Sequence, residues 1–286
     1  MSNPVGIRWD VSVTQSVKIT DFLNTKLPLG YGEMLLHLGA IYRNRKRCSA
    51  NIMLSPRDAL RVHLEPRRFD ITEINFLSLL IANEPEYLVV NKPAGIPVHP
   101  TCDNSQENLL VQLEMALKQK LWVVHRLDIS TSGLMILGKT KRFCNTFQKY
   151  LEQGQIRKEY HCLLNTPVPE GRHEHFMPNK DRGPFHVFKT EEPFSKRCIL
   201  TILSCNKIIW KNRPHWIAHI HLITGRHHQI RSQMAALESP IVGDLLYGSK
   251  EVFLDKELHK KIALQSTCLE FCDNEDKQYY SLPFCF

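Results

Sequence analysis

Between Trp122 and Lys141 two apolar runs enclose His125, Arg126, Asp128, Thr131, Ser132 and Gly133. A lone carboxylate set between hydrophobic segments is held partly out of water, and a neighbouring guanidinium keeps it ionised. On an extended chain Arg126 and Asp128 project to one face and Leu127 to the other, which puts the cation beside the acid. Such a carboxylate can serve as nucleophile or base. Asp128 can equally close the turn Ser130–Gly133, because an Asp side chain commonly bonds the backbone two residues on. The residues alone leave both roles open.

Other chemistries find less support. The chain has 14 His and nine Cys, but no C-x-x-C occurs, and His219 and His221 sit in an apolar strand pattern, so no metal site is expected. Gly30-x-Gly32 lacks the third glycine and the preceding strand of a dinucleotide fingerprint, and no phosphate-binding G-x-x-x-x-G-K-[ST] is present. Ser132 is not in a G-x-S-x-G elbow, and the zinc deaminase signature is missing. No cofactor is expected.

The elements that must position Asp128 come from 286 residues, of which 43% are apolar, enough for a sizeable core in one large or two ordinary domains. Charged residues at 23% exclude the disordered class, and no apolar run nears the roughly 18 residues of a membrane-spanning helix. Met1–Asp21 reads as neither signal nor transit peptide, so a cytoplasmic protein with reduced thiols is expected. From Leu77 onward the strand patterns are Tyr87–Asn91, Trp122–Val124, Leu134–Leu137, Glu159–Leu164, Cys198–Ser204, Trp216–Ile223 and Tyr279–Leu282. Leu109–Lys120 and His228–Leu237 have helical spacing. Strands outnumber helices without regular alternation, which predicts an α+β domain on a mixed, largely antiparallel sheet.

Net charge is +8, and residues 1 to 68 hold eleven basic side chains against five acidic ones, so most of the surplus is N-terminal. A basic segment of this kind suits docking on a polyanion, nucleic acid first; a solvated basic surface without a partner gives the same charge. Ile19, Phe22, Leu23 and Leu27 follow helical spacing, as do Met34, Leu35, Leu38 and Ile41 after a break at Pro28–Gly32. The basic run Arg43, Arg45, Lys46, Arg47 then brackets a turn at Asn44, and Leu60, Val62 and Leu64 alternate as a strand. This helix-helix-strand pattern resembles an S4-type RNA-binding module over residues 16–68, with Arg45, Lys46 and Arg47 facing RNA phosphates. A linker at 69–75 and a catalytic domain over 76–286 complete the expected organisation.

His125-Arg-Leu-Asp-Ile-Ser-Thr-Ser-Gly-Leu134, followed by Lys139-Thr140, resembles the signature of the RluA-type pseudouridine synthases, whose central Asp is catalytic. Leu88-Val-Val-Asn-Lys-Pro-Ala-Gly95 with Val98-His-Pro100 is similar to that family's first motif, and Lys158-Glu-Tyr160 to its K-x-Y motif. Thr224-Gly-Arg-His-His-Gln-Ile-Arg231, with Pro240-Ile-Val-Gly-Asp244 and Tyr247-Gly248, is similar to its third. The resemblance implies isomerisation of uridine in RNA, on a flipped-out base, with no cofactor or metal. It implies Asp128 as the carboxylate, Tyr160 packed on the uracil and placed to assist proton removal, and Arg231 paired with Asp128. Arg126 would fill the space the base vacates, Ile230 would line the pocket, and His125 would be a structural hydrogen-bonding residue.

Two departures from the family pattern stand out: Ser232-Gln233 where a small apolar residue and His are expected, and Ala263-Leu-Gln-Ser266 where Ala-Leu-His-Ala is common. The expected partner is RNA, ribosomal in preference to transfer RNA, acted on by a monomer with no membrane association. The rival expectations are a non-catalytic RNA-binding assembly factor that keeps the fold and a structural protein with a basic arm.

Overall fold

Contacts divide the chain into two units, one running up to Leu77 and taking in Ile96–Gln119, the other holding Ser78–Gly95 and the chain from Lys120 onward. The computed structural model describes residues 7–179, 183–254, 260–273 and 276–285.

The first unit contains β1 (Arg8–Ser12), β2 (Val17–Lys18), α1 (Ile19–Asn24), α2 (Tyr31–His37), β3 (Ile41–Arg43), β4 (Lys46–Arg47), β5 (Met53–Leu54) and β6 (Ala59–His63), with α3 (Leu109–Leu117) beyond. A four-stranded sheet in the order β1-β6-β3-β4 supports the helix pair, and Ile19, Leu23, Leu35, Ile41, Leu60 and Val62 form the core between them. The helical spacing of Met34, Leu35 and Leu38 does not carry on to Ile41. Gly39 turns the chain at φ +69°, where a Cβ would stand 2.3 Å from Ser105 Oγ, and Ile41 opens β3 instead. Asn44 and Arg45, both at positive φ, make the two-residue turn from β3 to β4, the geometry that suits the strands' twist. Just ahead of the expected linker, the Arg67 guanidinium bonds the buried Asp103 at 2.9 and 2.8 Å and Arg68 bonds Glu107 at 2.8 Å, so this stretch is anchored.

The second unit is built on ten strands: β7 (Leu80–Asn83), β8 (Tyr87–Lys92), β9 (Trp122–Val123), β10 (Ser132–Gly138), β11 (Arg157–Leu164), β12 (Gly171–Pro178), β13 (Ser195–Trp210), β14 (Arg213–Leu222), and after a short pair, β15 (Phe253–Leu254) and β16 (Lys260–Lys261), β17 (Leu264–Asp273) and β18 (Asp276–Ser281). The main order is β12-β13-β14-β11-β17-β10-β8-β7; β18 joins β17 and β9 joins β10. All neighbours are antiparallel except β10 and β17. The mixed, largely antiparallel α+β architecture expected from the sequence is therefore present.

Helix α4 (Lys141–Glu152) starts at the cap residue Thr140, whose Oγ1 accepts from the Phe143 N–H at 3.2 Å. It buries Phe143 and Phe147 on one face of the sheet against Tyr87, Leu134, Ile136 and Phe271. Helix α5 (Gln229–Ala236) buries nearly its whole circumference, polar residues included. Its Gln229 amide donates to the Ile199 carbonyl and to Gln233 Oε1, and the Gln233 amide reaches His175 Nδ1 at 3.0 Å. The departure at Gln233 thus serves as an anchor for this helix.

Candidate active site

Asp128 stands on the irregular segment between β9 and β10, not on an extended strand, with Leu127 buried and Arg126 exposed. The turn after it is closed by the backbone, the Thr131 N–H donating to the Asp128 carbonyl at 3.1 Å, so the carboxylate is directed elsewhere. Three devices fix the segment. The fully buried Lys92 amine, at the end of β8, donates to the carbonyls of Ile129 at 3.3 Å and Thr131 at 2.9 Å, on the far side of Asp128, and to Pro93 at 2.9 Å. The Gly95 N–H donates to Ile129 O at 2.7 Å. His125 Nε2 accepts the Ile136 N–H at 2.9 Å while its ring stacks on Phe147. That bond makes Nε2 an acceptor, and burial, with Lys158 nearby, pushes the His125 pKa down to about 3, so the ring is neutral. Burial likewise brings the Lys92 amine down to about 7 against the pull of Asp128.

Gly133 brings this segment to the rest of the site. At φ +108° it pairs with Ser266 of β17, and a Cβ there would lie 2.1 Å from Ser266 O. Only glycine permits that approach. On the other edge of β17 the same Ser266 faces Tyr160 of β11, where a bulge after Glu159 shifts the register. Tyr160 is buried, and burial drives its phenol well above the ordinary tyrosine range, with the charge of Asp128 adding to the effect.

Arg231 comes from α5, entered through His228 at φ +55°, a left-handed conformation uncommon outside glycine. The guanidinium does not pair tightly with Asp128. Its fork closes on the buried Asp244, at 2.6 and 2.8 Å, while Asp128 lies 3.8 Å away, because the turn Ile241–Gly248 presents Asp244 directly beneath α5. Burial works against the Arg231 charge, yet bonds and attraction from Asp244, with Asp128 behind them, carry its pKa above the usual value. Two further neighbours of Asp128 are His227 and His228, each with Nε2 3.9 Å from one carboxylate oxygen.

Asp128, Tyr160, Arg231, Arg126 and Ile230 all line one cleft of about 980 Å³. Lys158, whose amine burial holds below the normal lysine range, lines it too. Arg45, Lys46 and Arg47 belong to the first unit. Arg45 and Lys46 are exposed on the β3–β4 turn, whereas Arg47 is half-buried and bonds the Tyr42 hydroxyl at 2.6 Å and the Thr101 carbonyl, so its guanidinium is already engaged. Sequence reasoning passed over Lys92, His227, His228 and Asp244 as individuals, although each falls within a motif it quoted.

The profile of the RNA pseudouridylate synthase family matches residues 86–236, more than half of the chain. The chain belongs to that family. It is 34% identical over 208 residues to RNA pseudouridine synthase 6, chloroplastic, of Oryza sativa subsp. japonica, covering 66% of this chain and 44% of that relative. The chain thus spans under half the length of this relative. With ribosomal large subunit pseudouridine synthase D of Neisseria meningitidis serogroup A it shares 29% identity over 81% of this chain and 61% of that one. Among solved structures, human RNA pseudouridylate synthase domain containing 1 superposes at a TM-score of 0.56, with 22% identity, over 71% of this chain and 82% of that one, a likeness of fold.

Proposed function

We propose that this protein is an RNA pseudouridine synthase that uses Asp128 to isomerise uridine. The observation that carries the reading is a carboxylate, 17% exposed, at the wall of a cleft it shares with Tyr160 and Arg231. The reaction breaks the N1–C1′ bond, forms the C5–C1′ bond, and moves one proton from C5 to N1, so nothing enters or leaves. Asp128 begins it by attacking the ribose, by removing its 2′ proton, or by attacking the uracil ring. A base stacked in RNA cannot reach this carboxylate, so the uridine is flipped into the cleft. Tyr160 packs on the uracil and assists removal of the C5 proton, which ends on N1. Exposed Arg126 takes the place of the base in the RNA, and buried Ile230 lines the pocket. Arg231 balances the charge of Asp128 from 3.8 Å while Asp244 holds it in place.

Ribosomal RNA is the substrate we favour, supported by the name of the Neisseria relative. The N-terminal helices with the exposed Arg45 and Lys46 are proposed as an S4-like module that meets RNA phosphates. We propose a monomer and a cytoplasmic setting, the latter supported by the bacterial relative; the rice relative is named for the chloroplast. Among the described residues no helix is long and apolar enough to cross a membrane.

The test is tritium release from 5-tritiated uridine in ribosomal and transfer RNA pools made in cells lacking the protein, with wild type and Asp128→Asn. Release by wild type alone supports the reading and identifies the pool. RNA binding without release in either pool assigns the protein to the assembly-factor class instead.

A further inference from the structure

Three potential ligand atoms face one gap in the cleft. Nε2 of His227 and Nε2 of His228 approach the two oxygens of Asp128 to 3.9 Å each, and one ligand atom from each residue lies within 4.8 Å of the other two. At that separation none of these contacts is a hydrogen bond. We infer that Asp128, His227 and His228 form a binding site for a divalent transition ion of the zinc class.

The donor set decides the class. Two imidazoles and one carboxylate with an open fourth position match an open zinc site, whereas calcium and magnesium prefer all-oxygen shells. Around a tetrahedral ion with bonds near 2.0–2.1 Å the ligand atoms stand about 3.4 Å apart, so separations of up to 4.8 Å must close by about half an ångström at the shorter contacts and by as much as roughly 1.4 Å at the widest. His227, whose side chain is 37% exposed, has room to turn and supply that movement.

His228 is already held in the orientation of a metal-bound imidazole. Its other nitrogen, Nδ1, is 3.1 Å from the Tyr247 hydroxyl, an outer contact that holds the ring direction, and the same oxygen accepts the Phe185 N–H at 3.1 Å. The Phe185 and Tyr247 rings meet it edge-on.

Charge does not oppose the ion. Arg231 is the nearest cation, but its fork closes on Asp244, so from 3.8 Å it offsets the charge of Asp128 only in part. Arg126 is exposed and screened by solvent. A bound ion occupies the carboxylate that the proposed reaction uses, so zinc acts as a reversible inhibitor. The inhibition rests on the proposed role of Asp128; the binding does not.

The test is a titration of the full chain with Co²⁺, a spectroscopic stand-in for zinc. One equivalent is expected to give ligand-field bands of a nitrogen- and oxygen-bound ion, without the thiolate charge-transfer band that any of the nine cysteines would produce. His227→Asn or His228→Asn should weaken binding at least about 100-fold, and Tyr247→Phe, an outer contact, about 10-fold. Binding unaltered in His227→Asn, or a thiolate band, overturns the site. In parallel, tritium release is followed under increasing Zn²⁺ and after chelation. Histidine-dependent binding with undiminished turnover leaves the site standing and removes Asp128 from the reaction.

Discussion

Arg231 answers to two carboxylates, and the geometry says which one it needs in order to fold. Its bonds to Asp244, 2.6 Å at the shortest, join side chains 7% and 1% exposed. Removing one partner of such a buried pair costs about 3–5 kcal/mol. At a fixed effective dielectric, attraction over 3.8 Å is roughly two-thirds of that over 2.6 Å, so Asp128 recovers part of the loss when Arg231 swings towards it. Asp244→Asn is therefore expected to cost about 3 kcal/mol. Asp128→Asn removes only the longer, wetter contact and should cost about 1 kcal/mol or less, as surface pairs do. Urea unfolding at neutral pH of both variants, each alone and combined with Arg231→Met, reads these values as a double-mutant cycle. Coupling of about 2 kcal/mol is expected between Arg231 and Asp244, and a smaller one between Arg231 and Asp128. If Asp128→Asn destabilises as much as Asp244→Asn, the assignment of Arg231 to Asp244 is wrong.

Gly133→Ala places a methyl 2.1 Å from Ser266 O at φ +108°, and should lower stability by about 2–5 kcal/mol in urea unfolding and depress turnover; wild-type stability would mean that the two strands can separate freely. The folded-state pKa of Lys92 lies near 7, below its unfolded value, so between pH 7 and the unfolded pKa the unfolded chain binds the extra proton and stability rises with pH. Relative to Lys92→Met, the wild type should gain roughly 2–3 kcal/mol from pH 7 to 9, read as the difference between two unfolding curves; a flat difference would show that the amine is not desolvated. Arg45→Gln with Lys46→Gln should weaken RNA binding and flatten its dependence on salt, each phosphate contact contributing about one unit of slope. Arg47→Gln should instead lower stability, since its guanidinium bonds Tyr42 and Thr101, and an equal loss of RNA affinity without destabilisation would contradict that.

Where one physical signal dominated, the sequence was readable. Tyr87–Val90 is apolar and buried on both faces, and it lies in strand β8. Asp128 drew notice because it is the one acid between two such runs. Helix α4 went unread although Phe143, Phe147, Tyr150 and Leu151 share a face, since basic residues hide the pattern at its start. Strand β17 was missed for the opposite reason: Gln265, Ser266 and Thr267 are polar yet buried, and only their neighbours in the sheet explain them. The partner of Arg231 was out of reach for a further reason. Both carboxylates lie far from it in sequence or beyond a turn, and choosing between them takes distances. His227 and His228, side by side in the chain, gave no ligand spacing because their third member is Asp128.

The parallel contact of β10 with β17 is registered at only two residue pairs, Ser132 with Gln265 and Gly133 with Ser266. Asp128 hangs from one side of that narrow join; Tyr160 and, through Gln229 on Ile199, Arg231 hang from the other. The proposed catalytic group and its neighbours therefore depend on a seam with far fewer bonds than the strands it unites. Opening of the seam alone would part them while each half kept its own ladder. Amide hydrogen exchange at Ser132 and Gly133 should accordingly run faster than in the interior of β8 or β11, and the fraction of molecules competent to react would be set there, by a local equilibrium well short of unfolding.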